Sequence, residues 1–394
     1  MQSTIRFDPY AYEVHEDPYP LYARLRRESP VHRNDELGFW ALSRHEDVLA
    51  AFKDHRRFSN REGVSLDPSS RHPAAATTGM SFLGLDPPLH TRMRGLVSRG
   101  FTPRRVAALE PRIREITVSY LDALVGTGRF DFVDEFAGRL PMDVISELLG
   151  VPAVDRPTLR TWADLLVHRE EGIRDVPPEG MVAFGRIRAY FTGLLAERRA
   201  APRDDLLSAL LAIELDGDRL SDAEILSFCN LMIVAGNETT TKLLANALYW
   251  LARNPDQRAL VARSEAAIPA WVEETLRYDN STQMLARLVT EDVEVRGTRL
   301  AAGDLALLLV GSANRDEDVF PHADRFDIER DTSAMLSFGR GAHFCLGASL
   351  ARLEGRVALE EWWRRFPDYE IDPTGAERVH SVNVRGFAHL PVKV

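Results

Sequence analysis

The stretch FGRGAHFCLG, Phe338 to Gly347, holds one of only two cysteines in a chain of 394 residues. Its glycines do not form a dinucleotide fingerprint, because G-x-G-x-x-G would need glycine where Phe344 stands. The segment after it reads as a helix: Leu346, Leu350, Leu353 and Val357 recur at helical spacing, and Pro367 stops it. Cys345 therefore falls at or just before a helix N-terminus, where unpaired N–H groups and the positive dipole end favour a thiolate. Gly341 and Gly347 let the backbone turn tightly and come close to a flat ligand. On the residues alone, an inert packed cysteine and a metal-binding sulfur both stand. A disulfide framework does not, since Cys229 and Cys345 are far apart and alone. Zinc is equally unsupported, because no cysteine or histidine pair has ligand spacing.

Working outward, the formal charge is -10 and the arginines are scattered, which argues against nucleic acid as a partner. Hydrophobic residues make up 45% and charged residues 27%, and no run approaches the roughly 18 apolar residues of a membrane anchor. The N-terminus lacks the basic and apolar regions of a secretory signal, so a cytoplasmic protein is the expectation. Helical periodicity dominates, with strand-like pieces at Phe39–Arg44 and within Asp292–Val310. The longest helix is predicted to start at a capping box, Ser221 with Glu224, and to run to about Arg253 before Asn254-Pro255. About 30 residues span about 45 Å. A helix of that length with an apolar middle crosses the core, which disfavours a mid-chain boundary. The fold class expected is mainly α with small β-sheets, in a single domain over 1–394. Two long loop-like stretches, Arg61–Gly79 and His168–Gly180, read either as lids or binding loops or as surface excursions without function.

Phe338, Gly341, His343, Cys345 and Gly347 fit the signature F-x-x-G-x-H-x-C-x-G at every fixed position, and the sequence resembles a soluble bacterial cytochrome P-450. The resemblance implies a prism-like helical fold holding haem b between the long helix and the cysteine loop. Cys345 would be the iron ligand, Phe338 would pack on the proximal face, and Gly341 and Gly347 would keep the backbone close. Other segments match in the family's order. EETLR supplies Glu274 and Arg277, and PHADRF supplies Arg325; the three would form a structural network behind the haem. VAGNETT sits mid-helix, where Gly236 costs roughly 1 kcal/mol relative to alanine. It resembles the motif in which the helix bulges over the iron and an acid and a threonine, here Glu238 and Thr239, relay protons during dioxygen activation. His90, Arg94, Arg287 and His343 match propionate-binding positions, a role to which arginine's bidentate fork is suited. By the same resemblance Phe82, Leu83, Met232, Ala235, Met284, Leu285 and Phe387 would line the substrate cavity. One departure stands out: where the family commonly carries a proline-containing stretch, this chain reads Asn280-Ser281-Thr282.

The function implied is a monooxygenase that hydroxylates or epoxidises a hydrophobic small molecule such as a steroid, terpenoid, fatty acid or polyketide. Its electrons would come from NAD(P)H through a ferredoxin reductase and a ferredoxin, because the chain has no length left for a redox module. Arg340, Arg352 and Arg356 would form the ferredoxin-docking patch of a monomer. Rival readings are a peroxide-driven or non-oxygenating haem-thiolate enzyme, and a haem- or lipophile-binding protein without turnover.

Overall fold

The sequence places a capping box at Ser221, and the helix it starts sets the frame of the molecule. In the computed structural model, which describes residues 5–71, 82–215 and 217–394, that helix runs unbroken over Asp222–Arg253. Ser221 Oγ accepts from the Glu224 N–H, and the Glu224 carboxylate accepts in return from the Ser221 N–H. Its 32 residues span about 48 Å.

The helices that position the site are α1 (His45–Lys53), α2 (Leu89–Val97), α3 (Glu110–Leu124), α4 (Leu140–Leu149), α5 (Arg156–Val167) and α6 (Pro178–Ala200). After them come the long helix, α7 (Asp222–Arg253), then α8 (Ile268–Tyr278) and α9 (Ala348–Arg365). Helix α7 packs on α4, α5 and α6 and also on α8 and α9, so it crosses the core as its apolar middle predicts. One hydrophobic cluster joins α3, α7, α8 and α9 around Trp271 and Trp362; a second joins α2, α4, α6 and the first half of α7 around Phe191 and Phe228. Among the described residues no helix is long and apolar enough to cross a membrane.

A five-stranded sheet lies beside this helical body, built from β1 (Val31–Asn34), β2 (Phe39–Leu42), β3 (Phe58–Ser59), β4 (Leu285–Val289) and β5 (Leu305–Leu308) in the order β1-β2-β5-β4-β3. Strand β5 runs parallel to β2 and antiparallel to β4, with Ala306 opposite Arg287. Side chains alternate across a strand. Ala286 and Leu288, with Met284 just before the strand, enter an N-terminal core that includes Tyr22, Leu25 and Phe39, while Leu285 and Arg287 face the other way.

The stretch read as a loop at Arg61–Gly79 is described as far as Arg71, and residues 72–81 lie outside the described residues. The second stretch is irregular until α6 begins at Pro178. The two are tied together: the buried Arg169 donates through Nη2 to Asp67 Oδ2 at 2.7 Å, and its backbone N–H donates to the His380 carbonyl at 2.8 Å.

Candidate active site

After Phe338 the chain doubles back through a 3-10 turn, Gly341–His343, and the Cys345 N–H donates to the Phe338 carbonyl at 2.9 Å. Gly341 has φ of +72°, and a Cβ there would lie 2.7 Å from the Phe52 carbonyl oxygen on α1, so glycine is required on both counts. Gly347 is the N-cap of α9, which puts Cys345 just ahead of that helix. The cysteine lies deep in the molecule yet keeps an exposed surface, because its sulfur faces an internal cavity of about 270 Å³. Burial pushes the thiol up; the Gly347 N–H, Arg94, Arg352 and the Ala348 N–H pull it back without cancelling the rise. A bound metal reverses that balance by deprotonating the thiol outright. Cys229 has no such outlook: it is fully buried in the second core, and its thiol is pushed up by burial.

The wall of the cavity contributed by α7 includes Met232, Ala235, Gly236, Thr239 and Thr240. Ala235 is exposed although it sits in the middle of a core helix, so the space beside it is the cavity itself. A Cβ on Gly236 would meet Ile145 of α4 at an ordinary 3.5 Å; packing alone does not demand the glycine. The bulge expected here is absent, since α7 keeps helical geometry throughout. Thr239 Oγ1 instead donates to the Ala235 carbonyl at 2.8 Å, a bond back to the preceding turn. Glu238 does not line the cavity. It is buried against α5, with Oε2 3.4 Å from Lys242 Nζ.

One side of the cavity collects cations and imidazoles without acids to match. The rings of His90 and His343 lie 4.0 Å apart, and none of their four nitrogens has a hydrogen-bond partner among the described residues. Burial lowers His90 to about 4 and His343 to about 3. Arg94 and Arg287 both line the cavity, and neither has an ion pair among the described residues. Arg287 is lowered to about 10 by burial. Buried polar groups in native proteins are overwhelmingly paired. Four orphaned ring nitrogens and two unmatched guanidinium groups therefore fit a ligand that brings carboxylates to this side of the cavity that Cys345 also lines. Haem, a flat macrocycle with two propionates, has that shape and charge.

Behind the cysteine loop, Arg277 is fully buried on α8. It donates bidentately to Glu274 at 2.7 and 2.8 Å and to the carbonyls of Asn314, Ala323 and Arg325 at 2.9 to 3.1 Å. Arg325 does not close this network. Its side chain is 61% exposed and pairs with Asp256, while its carbonyl is what Arg277 holds. The arginine that reaches Glu274 is Arg330, 8% exposed, with Nε 3.5 Å from Oε1. The turns between the two residues carry Arg325 outward and Arg330 inward.

Of the expected substrate-lining residues, Phe82, Leu83, Met232, Ala235 and Leu285 border the cavity. Met284 does not, because the alternation around β4 sends it into the N-terminal core. Phe387 does not either: it packs on Tyr249, with Arg378 3.8 Å above its ring, in a separate cleft. Asn280, Ser281 and Thr282, where the sequence reading expected a proline-containing stretch, all border the cavity with Asn60 and add a polar margin beside its apolar residues. Sequence reasoning missed Glu354, a buried cavity-lining acid pushed up to about 8 by burial, with Oε2 unpartnered among the described residues. Helical spacing carried the signal, since Glu354 shares the inward face of α9 with Leu350 and Val357.

The sequence model of the family described as Cytochrome P450 matches residues 183–263 and 267–382. A Mycobacterium tuberculosis (strain ATCC 25618 / H37Rv) protein bearing the name cytochrome P450 123 is 57% identical over 388 residues, covering 98% of this chain and 96% of its own. The chain belongs to the cytochrome P450 family. The vitamin D(3) 25-hydroxylase of Pseudonocardia autotrophica is 41% identical over 99% of this P450 and 96% of that protein. Among solved structures, CYP109E1 from Bacillus megaterium in complex with testosterone superposes with a TM-score of 0.89 at 32% identity, over 97% of this chain and 99% of that one. The protein is thus a P450 monooxygenase with the fold its sequence predicted.

The docking patch expected on this P450 is not a free one. Arg352 pairs bidentately with Glu273 at 2.6 and 3.0 Å, and Arg356 pairs with Glu110 and Glu360. Among the described residues Arg340 bonds to the carbonyls of Ser333 and Gly339 and has no ion pair. The neighbouring short helix Pro103–Ala107, which shares a groove with Arg352 and Arg356, carries Arg104 and Arg105 exposed and without an ion pair among the described residues.

Proposed function

We propose that this P450 binds haem b through Cys345 and inserts one oxygen atom of dioxygen into a hydrophobic small molecule of steroid-like size, by hydroxylation or epoxidation. The observation that carries the reading is that Cys345 and Thr239 line one cavity, beside which lie four imidazole nitrogens and two arginines unmatched among the described residues. His90, Arg94, Arg287 and His343 would hold the propionates, and Phe338 and Gly347 would border the macrocycle. Bound haem supplies the electron and oxygen chemistry.

The chain's own work is positioning and proton supply. Phe82, Leu83, Met232 and Leu285 exclude water and hold an apolar skeleton by burial, while Asn60, Ser281 and Thr282 give a hydroxyl or ketone somewhere to bond. Thr239 Oγ1, bordering the cavity, orients a proton at its hydroxyl, and Glu238, its neighbour on the inner side of α7, is the acid that replaces it. Relatives that act on vitamin D(3) or bind testosterone support a polycyclic substrate. Electrons from NAD(P)H would arrive through a ferredoxin reductase and an acidic ferredoxin, drawn by Arg104, Arg105 and Arg340 rather than by the paired Arg352 and Arg356. The test is the absorption spectrum of the reduced, carbon monoxide-treated protein. A red-shifted thiolate band that disappears in Cys345→Ala is expected, and a folded, haem-loaded wild type without that band would overturn the assignment. Adding steroids or secosteroids to the oxidised protein should shift the haem absorption, which identifies the substrate class.

A further inference from the structure

The cleft that holds Phe387 shares no lining residue with the cavity of Cys345. It encloses about 580 Å³ between the short helix Tyr19–Glu28, the C-terminal ends of α7 and α8, and residues 373–387. Three arginines in its lining, Arg315, Arg378 and Arg385, have buried side chains. The buried acid beside them, Asp279, is fully engaged: it accepts from Tyr19 Oη at 2.6 Å, from Trp250 Nε1 and Arg385 Nε at 2.7 Å, and from Arg378 Nη1 at 3.4 Å. Arg385 donates its other nitrogens to the carbonyls of His15 and Glu16. Arg378 bonds only through Nη1, to Asp279 and to Asn246 Oδ1, so its Nε and Nη2 have no hydrogen-bond partner among the described residues. Arg315, 4% exposed, is stacked on two tyrosines, with Cζ 3.5 Å from the ring centroids of both Tyr19 and Tyr278, and so presents only the edge of its guanidinium. Its Nε donates to the Tyr278 carbonyl at 2.8 Å and its Nη1 lies 3.5 Å from the exposed Asp324; Nη2 is buried with no partner among the described residues. The other charges of the lining, Glu16, Asp17 and Arg253, are exposed like Asp324 and sit at the mouth.

We propose that this cleft is a second binding site, separate from the cavity of Cys345, that takes a small aromatic carboxylate, with the carboxylate on the arginine floor and the ring among Tyr249, Trp250 and Phe387. Buried donors in native proteins are overwhelmingly paired, so guanidinium nitrogens that the fold leaves unmet mark where a ligand brings an acceptor. Three buried guanidinium groups against one buried carboxylate make the floor cationic, which selects an anion, and arginine's planar fork matches a carboxylate. The three exposed acids at the mouth oppose a group of higher charge, such as a di- or triphosphate. The wall supplies the aromatic half of the preference. The Tyr249 and Phe387 rings lie 4.8 Å apart, Trp250 and Tyr278 meet edge to face at 4.8 Å, and Arg378 sits 3.8 Å above Phe387. A ligand ring extends that packing by the same offset and edge-to-face contacts.

The experiment titrates the haem-loaded protein with 4-fluorobenzoate and follows both the fluorine resonance of the probe and the haem absorption. One saturable site is expected while the haem absorption stays unmoved, because the probe lies outside the cavity of Cys345. The neutral 4-fluorobenzamide should bind about tenfold more weakly or worse, as should 4-fluorobenzoate to Arg378→Gln, since each change removes a hydrogen bond between charged groups. Arg378→Lys should recover part of the loss. Ala23→Trp fills the cleft from the half-buried side of the short helix without altering any charge, and should abolish binding. An unchanged haem absorption certifies the fold of each variant, and where Arg378→Gln does not fold, Ala23→Trp decides alone. Absence of saturable binding, equal binding of the amide, binding unchanged in folded Arg378→Gln or in Ala23→Trp, or binding that shifts the haem absorption overturns the proposal.

Discussion

Ser281 Oγ donates to the Thr239 carbonyl at 2.7 Å, so the segment Asn280–Thr282 is bonded to the cavity-facing turn of α7. The hydroxyl fixes the distance between the segment and the helix by a direct hydrogen bond. Ser281→Ala should lower stability by about 1 kcal/mol, the net worth of one such bond. It should also release the Thr239 turn. Thermal unfolding checks the first, and product formed per electron consumed checks the second, with a loss expected in both.

The Glu274–Arg277 pair should tolerate no conservative change. Arg277→Lys keeps the charge but has no planar fork for the carboxylate and cannot reach three carbonyls as well. Breaking a buried, hydrogen-bonded pair costs about 3–5 kcal/mol, and little folded, haem-loaded protein should be recovered. Arg330→Ala should share part of that loss, whereas Arg325→Ala, whose side chain is exposed, should be almost silent. Haem content per purified chain separates the two arginines.

Glu354 gives stability an uncommon pH dependence. Its folded value is about 8 against an ordinary 4.5, so between those values the folded chain holds a proton that the unfolded chain has released. Stability contributed by this group is therefore greatest at low pH and falls as pH rises, by up to about 1.4 kcal/mol per unit, until it levels off above about 8. Glu354→Gln should flatten the curve, leaving the variant more stable than wild type at pH 8 and close to it at pH 5. Paired denaturant titrations at the two pH values measure this.

His90→Ala and His343→Ala should each weaken haem retention about tenfold or more, as loss of a hydrogen bond to a charged group does. The rate of haem transfer to apomyoglobin reports it. The secondary structure should be unchanged, because neither ring bonds to the described residues.

Charge reversal at Arg104 and Arg105 should slow reduction by a ferredoxin and flatten its salt dependence. Reversal at Arg352 should act mainly by stranding Glu273. Stopped-flow reduction at two ionic strengths distinguishes them.

The parts of the site written as local spacing could be read from the sequence: the cysteine loop, the capping box and the Pro-terminated end of α7, and the i, i+3 pair Glu274 and Arg277. What could not be read depends on where turns aim side chains. Arg325 and Arg330 are five residues apart in an irregular segment, and only the folded path decides which one faces Glu274. Met284 was within reach, because alternation along β4 already forbids it from sharing a face with Arg287. Arg315 was not, since its meaning comes entirely from the two tyrosine rings it is stacked on. The patch of Arg352 and Arg356 failed for a similar reason: a linear count of cations does not show the carboxylates that helix packing brings beside them.

Strand β4 serves as a party wall. The residues on one side of it settle the N-terminal core with Tyr22, Leu25 and Phe39, and Leu285 and Arg287 on the other side border the cavity. One strand's thickness separates packing that no ligand touches from packing that a ligand feels directly, and close-packed interiors transmit small displacements. Substitutions in that distant core are thus a route to altered substrate choice, and selection for new substrates, in the laboratory or in descent, would be expected to leave changes there as well as at the cavity's own lining.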